Sequence, residues 1–443
     1  MVCFKTLALA LGLGLLLEVL PTVASPHVAR RELTNRSSCP MATSHLENAV
    51  QPKSDPWYLT TPADLDAATP GTIFRARPAP GNLASRVANS SAAYNILFRT
   101  TDSQQTATYA VATVFLPQKP LADTTLLSIQ LAYDTVDLNQ SPSYVMYSYS
   151  ADQLSDITWA LGRGWVVITG DYEGPLASFG AGRMSGSAVL DGVRAVLSSS
   201  CGAEFGMPAD PGKVRYALWG YSGGGLATEA ATELQLKYAP ELKFLGAAMG
   251  GLTPNATSVI ATVNKGLYAA IIPGYLIGST SQFPDARAYL LSRLKPYGLQ
   301  SKDLFMSMVE TGTEIGIITF AFQDMSSYFI GGFADLDAPI MQRVRESDGQ
   351  MGTHGVPQMQ VFCYKAIHDE LSPVADTDAL INKYCKMGAN ILYQRDTVNN
   401  HFDEFNSGQP RARSWLIGVL EQGHVQVGCT IQNVTDPYYV FHL

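Results

Sequence analysis

The stretch of the chain best suited to chemistry is Gly220-Tyr221-Ser222-Gly223-Gly224, which follows the apolar run VRYALWG and leads into LATEAATELQLKYAP. A serine hydroxyl is a poor nucleophile until one group removes its proton and another stabilises the oxyanion it creates. At a sharp turn from strand to helix, the positions two before and two after such a serine are crowded enough to need glycine. Many glycine-rich turns match G-x-S-x-G; the strand before it and the helix after it are what predict a nucleophile elbow at Ser222. In that arrangement the acid and then the base follow the nucleophile along the chain. Of His354, His368, His401, His424 and His442, only His401 falls between the strand-like ANILYQR and a closing helix, SWLIGVLEQ, where a base would face Ser222. The acid is expected in the loop after MQVFCYKA, at Asp369, with Glu370 as runner-up and Asp403 weaker because it follows the histidine. That carboxylate would hold the His401 tautomer and stabilise its imidazolium, leaving His368 as a packing or rim residue. For the oxyanion, the N–H of Gly223 at the helix start is one expected donor. The second is expected at Asp171, at the strand end in GWVVITGDYEG, through its backbone N–H or a protonated side chain, since an ionised carboxylate would repel the oxyanion.

These residues need a scaffold that gathers distant segments. AAYNILFRT, YAVATVFLP, TTLLSIQLAY, GWVVITG, VRYALWG, FLGAAMGG, MQVFCYKA and ANILYQR read as strands, several of them short apolar runs typical of strands buried on both faces. Helical spacing in SGSAVLDGVRAVLSS and LATEAATELQLKYAP, and in a stretch ending near Leu161, alternates with them. The fold class expected is α/β, a mostly parallel sheet flanked by helices. The rhythm breaks over 253–352, which is helical and rich in Gly and apolar residues (KGLYAAIIPGYLIG, LFMSMVETGTEIGIITFAF). We read it as a helical cap inserted between two strands, the alternative being an ordinary second helical layer. Segments 55–252 and 353–443 are then the two parts of the core.

With 443 residues, 46% of them hydrophobic, the chain can bury a large core. A net charge of -8 without any Lys/Arg block argues against nucleic acid as a partner. The histidines and cysteines lack metal-ligand spacing, and the glycine-rich turn has neither the Gly-Lys-Ser/Thr of a phosphate loop nor dinucleotide spacing, so no metal and no cofactor are expected. MVCFKTLALALGLGLLLEVLPTVAS has the basic start, apolar run and small residues of a secretory signal peptide, assigned to 1–24. Its run is too short to span a membrane, and no later segment is long enough. Residues 25–54 form an N-terminal stretch in which Arg30-Arg31 is either a pro-segment processing site or solvated charge. Secretion favours disulfides, and loss of Cys3 with the signal leaves an odd count of five cysteines. Cys363, inside an apolar strand, is read as the free buried thiol. The expected bridges are Cys39–Cys201 and Cys385–Cys429, a connectivity that residue order alone leaves open. Sequons at Asn35, Asn89, Asn139, Asn255 and Asn433 fit a secreted glycoprotein, Asn139 least well because Pro142 follows its Ser141.

Taken together, DPWYLTTPADLDAATPGTIFRARP, QLAYDTVDLNQSPSY, GWVVITGDYEG, GYSGGG and KAIHDELSP, with His401 and Cys429, cover most of the mature chain and resemble the fungal secretory lipase family, the Candida antarctica lipase A type. The resemblance implies an α/β-hydrolase with a helical cap before the acid loop. It implies hydrolysis of carboxylic esters through an acyl-enzyme, with Ser222, Asp369 and His401 as triad and Asp171 with Gly223 at the oxyanion hole. It also favours the Cys385–Cys429 bridge. The family includes triacylglycerol lipases and an esterase that deacetylates a trichothecene precursor at its C-3 oxygen, so the implied partner is an ester of a lipid or of an acylated small molecule. The apolar cap is the candidate lipid-contacting face. A peptidase on this fold is disfavoured, since no propeller or large substrate-selecting domain accompanies the catalytic segments. A non-catalytic binding protein would be expected to lack one of the three triad residues, and all are present.

Overall fold

The computed structural model describes residues 39–42, 46–198 and 200–437. The expected signal peptide, Arg30-Arg31, Asn35 and His442 lie outside the described residues. Among the described residues ten strands form one sheet: β1 (Ile73–Pro78), β2 (Ser90–Thr101), β3 (Ala107–Pro117), β4 (Thr125–Gln130), β5 (Val166–Gly170), β6 (Arg215–Tyr221), β7 (Gly246–Gly250), β8 (Gln360–Ala366), β9 (Ile391–Asp396) and β10 (Cys429–Val434). Their spatial order is β1-β2-β3-β5-β4-β6-β7-β8-β9-β10. From β5 to β10 every neighbouring pair is parallel, and β1, β2 and β3 extend one side as antiparallel strands.

The long helices are α1 (Ser155–Gly162), α2 (Gly182–Leu197), α3 (Gly223–Tyr238), α4 (Ala256–Val263), α5 (Ile271–Ser281), α6 (Pro284–Arg293), α7 (Met308–Phe320), α8 (Pro339–Asp348), α9 (Val374–Lys386) and α10 (His401–Glu421). The period of two along β6 sends Leu218 to one face and Ala217 and Trp219 to the other. Leu218 packs in a core with Val189 and Val193 of α2, Ala227 and Ala231 of α3, and Leu380 and Ile381 of α9. Ala217 and Trp219 pack with Ile157 and Leu161 of α1 and Ala412 and Leu416 of α10. Covered on both faces, the central strands carry continuous apolar runs.

Between β7 and β8 the chain leaves the sheet and forms α4 to α8. These helices enclose a third core around Tyr275, Phe305, Phe320, Tyr328 and Phe329, which Val136 and Leu371 join from the loops after β4 and β8. No helix among the described residues is long and apolar enough to cross a membrane.

The closing helix starts far earlier than SWLIGVLEQ. It begins at His401, capped by Asn400, whose side chain accepts the Asp403 N–H at 2.9 Å, and it runs through Pro410. His401 is therefore the first residue of a helix rather than part of a loop. Both expected bridges, Cys39–Cys201 and Cys385–Cys429, are formed, and Cys363 is buried and free. Burial pushes the Cys363 thiol up, which keeps it unreactive. Of the described sequons, Asn89 and Asn433 are exposed. The side-chain oxygens of Asn139 and Asn255 are engaged, accepting from the Lys53 N–H and the Thr257 N–H.

Candidate active site

Ser222 sits between the end of β6 and the start of α3 with φ 54° and ψ -122°, in the left-handed region that strains a residue bearing a side chain. Its N–H donates to the Gly250 carbonyl at 3.0 Å. A Cβ on Gly220 would lie 2.1 Å from the Gly224 carbonyl oxygen, and one on Gly224 would lie 1.9 Å from that of Gln130, so neither position has room for a side chain. Ser222 Oγ is 2.9 Å from His401 Nε2, and His401 Nδ1 is 2.6 Å from Asp369 Oδ2. A carboxylate at Nδ1 selects the tautomer that carries its proton there and leaves Nε2 free to accept from Ser222. Asp369 Oδ1 accepts the N–H groups of Leu371 and Ser372 at 2.9 and 2.8 Å. Burial alone would raise the Asp369 carboxyl, but the His401 and Lys365 charges and hydrogen bonds beside it hold it well below the usual carboxylate range. Glu370 accepts the backbone N–H of His401 at 2.7 Å, and the Tyr221 hydroxyl donates to the His401 carbonyl at 2.6 Å. Glu370 thus anchors the histidine's backbone while Asp369 holds its ring. Asp403 lies in the first turn of α10, and His368 is exposed.

The expected oxyanion donor Asp171 is engaged elsewhere. Its N–H donates to the Val111 carbonyl at 2.8 Å, and its carboxyl accepts the N–H and hydroxyl of Ser143 at 2.8 and 2.5 Å. Asp171 follows β5, and in the sheet β4 stands between β5 and β6. The loop beside Ser222 is therefore the one after β4, where Asp134 sits at φ 43°. A Cβ on Gly223 would lie 1.7 Å from Asp134 Oδ1, so these two residues touch. Neither the Gly223 N–H nor the Asp134 N–H has a protein acceptor among the described residues. Burial pushes the Asp134 carboxyl up to about 6, with the His401 charge opposing. Asp134 belongs to QLAYDT, in the loop after β4, and chain order gives no sign that this loop rather than the one after β5 lies beside Ser222.

The cap holds this loop from above. Helix α7 breaks at Gly312 (φ 66°, ψ 176°), and Thr313 Oγ1 just beyond donates to the Asp134 carbonyl at 2.6 Å. Lys53 Nζ bridges the same two elements, lying 2.9 Å from Asp137 Oδ1 and from Glu310 Oε2 and 2.7 Å from the Val309 carbonyl. Two cavities meet at Ser222 and Asp134. One, of about 80 Å³, runs beneath the cap past Leu226, Tyr275 and Leu371. The other, of about 530 Å³, is lined by His401, Tyr149, Tyr221, Phe402, Phe405 and Ile315. Among the described residues no group of three or more His, Cys, Asp or Glu is arranged to hold a metal ion.

The family model of secretory lipases matches residues 141–426. The chain belongs to that family. It is 45% identical over 87% of its length to the trichothecene C-3 esterase of Fusarium sporotrichioides, of which it covers 88%. It is 34% identical over 87% of its length to lipase A of Arthroderma benhamiae, covering 83% of that protein. The crystal structure of Candida antarctica lipase A in its closed state superimposes with a TM-score of 0.78 at 27% identity, over 87% of this chain and 90% of that one. This family member is accordingly an α/β-hydrolase and a carboxylic ester hydrolase of the lipase and esterase kind.

Proposed function

We propose that the chain is a secreted serine esterase that removes a short acyl group from a bulky alcohol. Ser222 Oγ attacks the ester carbonyl carbon while His401 Nε2 takes its proton, and Asp369 holds the ring and stabilises the imidazolium. The N–H groups of Gly223 and Asp134 bind the oxyanion. His401 then protonates the leaving alcohol, and water releases the acyl group from Ser222 by the same steps.

The observation that carries the substrate class is the inequality of the two cavities. The leaving oxygen must come within reach of His401 Nε2, and His401 lines the cavity of about 530 Å³ but not the one of about 80 Å³. The alcohol half therefore takes the large, aromatic-lined space and the acyl half the small one. Similarity to a protein named trichothecene C-3 esterase is in keeping with an alcohol of that bulk. Two disulfides suit an oxidising compartment and, with the signal peptide and the family, support secretion. On this reading 253–352 is the cap that roofs both cavities.

A second reading, a lipase working at a lipid surface, is favoured by one observation. Ile315, Ile318 and Phe322, on and just after α7, are 56%, 81% and 70% exposed. A substrate panel separates the two. The esterase reading expects an acetylated polycyclic sesquiterpenoid alcohol to be cleaved with the highest kcat/KM, and no rate jump on emulsified long-chain triglyceride. Preference for the emulsion, with a jump at the interface, makes the chain a lipase. Ser222→Ala is the control for both: a folded variant that still turns over either ester refutes the assigned nucleophile.

A further inference from the structure

The triad carboxylate has a fourth partner that the reaction as described does not use. Lys365, the penultimate residue of β8, has no exposed side-chain surface. Its Nζ lies 2.7 Å from Asp369 Oδ2, the same oxygen that faces His401 Nδ1 at 2.6 Å, and it donates also to the Leu252 carbonyl at 2.7 Å. Asp369 is thereby saturated: two backbone N–H groups on Oδ1, an imidazole and an ammonium on Oδ2. A buried ammonium is costly to maintain, and a histidine alone would serve to pair the carboxylate.

From this geometry we infer that Lys365 is a positioning residue that holds the Asp369 carboxylate and balances the charge of the triad. This inference rests on the triad reading above. At rest, Lys365 and Asp369 cancel beside a neutral imidazole. In the tetrahedral intermediate the imidazolium and the oxyanion cancel in turn, so Lys365 and the triad together carry no net charge in either state. Without the ammonium, the resting triad carries one uncompensated negative charge, which favours the imidazolium over the neutral ring in the variant. The other groups facing His401 act against Lys365 or are neutral. Asp369 and Glu370 come from the loop after β8, Asp134 from the loop after β4 and the Tyr221 hydroxyl from β6, while Glu404, on its own helix, is paired with Arg411 at 2.6 Å. Lys365 is thus the cation bonded directly to the triad carboxylate.

The test is the pH profile of kcat/KM for a soluble short-acyl ester, measured on the mature protein and on Lys365→Met, Lys365→Gln and Lys365→Arg. The expected result is an acid limb about one to two pH units higher in the Met and Gln variants. Their plateau kcat should fall about tenfold at unchanged KM, and Arg should return the limb towards its original place. Gln keeps an amide N–H for the Leu252 carbonyl and decides the matter if Met does not fold. A folded Gln variant with an unmoved limb and unchanged kcat would overturn the inference and leave Lys365 a structural ion pair. Fluorophosphonate labelling of Ser222 in the unsubstituted protein runs alongside. Its absence would fail the triad reading itself, whatever Lys365 does.

Discussion

Thr313→Val removes one hydroxyl from the cap and keeps the side chain's shape. In doing so it deletes the bond, 2.6 Å long, between the cap and the Asp134 carbonyl. Asp134 holds φ 43°, a conformation that costs a residue other than glycine on the order of 1–2 kcal/mol. A neutral hydrogen bond contributes about 1 kcal/mol net, comparable to that strain. Its loss lowers the equilibrium constant in favour of the loop conformer that presents the Asp134 N–H by about fivefold, taking 1.4 kcal/mol as a factor of ten. Lys53 still fastens the loop through Asp137, so the loop stays ordered and the effect stays well short of the 10²–10³-fold cost of losing an oxyanion donor outright. The expected outcome is a kcat about three- to tenfold lower with KM little changed, because the donor acts on charge that develops only in the transition state. The assay is steady-state hydrolysis of a soluble short-acyl nitrophenyl ester, with active sites counted by fluorophosphonate titration. Thr313→Ser, which keeps the hydroxyl, should stay near the parent. A Val variant within twofold of the parent in kcat, or one that raises KM alone, refutes the idea that the cap holds the oxyanion loop.

Asp171→Asn tests the reassignment of that residue. Burial raises its carboxyl to about 7 against the lowering effect of the Ser143 hydrogen bonds. A carboxyl raised in the folded state binds its proton more tightly there than when unfolded, so the parent loses stability as pH rises from about 4 to about 7. Thermal melts should show that loss flattened in Asp171→Asn, with activity retained; a loss of turnover above a hundredfold in a folded variant would return Asp171 to the oxyanion hole. The bridge Cys385–Cys429 closes a loop with a sequence separation of 44, for which chain entropy gives about 4 kcal/mol. Cys385→Ser/Cys429→Ser should therefore melt at clearly lower temperature, lose hydrogen-exchange protection first in β10, and keep its turnover at room temperature; an unchanged melt would mean that β10 holds without its staple.

Much of the sheet was legible because its strands are covered on both faces. β4 to β9 announce themselves as apolar runs, and the alternation with α2 and α3 reads as parallel crossovers. The strands that went unread are at the two edges. β10 (CTIQNV) is exposed along nearly its whole length and is tied to the sheet by Cys429 and by pairing with β9, neither of which leaves a hydrophobic pattern. β1 carries Arg75 and Arg77, the latter buried against Asp55 at 2.8 Å. Helix α10 is longer than its sequence pattern suggests, because NNHFDEFNSGQPRAR offers weak periodicity and a proline, yet it begins at an Asn cap with two acids in its first turn.

The site divides along the same line. The candidate Ser222 reads from its glycines together with the strand before and the helix after them, and the candidates Asp369 and His401 follow from the order of strand ends. Asp134 does not, because chain order puts β5 next before β6 whereas the sheet puts β4 there, and no single-residue signal records that crossover. The buried acids of α3 are the same kind of case. Glu229 and Glu233 read as the polar face of a helix, but both bond the Tyr384 hydroxyl, and Glu233 also takes the N–H groups of Gly352 and His354, more than a hundred residues away. Lys365 is the sharpest of them. In QVFCYKA a lysine beside the strand's end looks like the point where the chain reaches water. β8, however, lies between β7 and β9 with helices over both faces, and every residue of it from Val361 to Ala366 is buried. A lysine there has no path to solvent. It must be paired where it stands, and the carboxylate within reach is the one that holds the base.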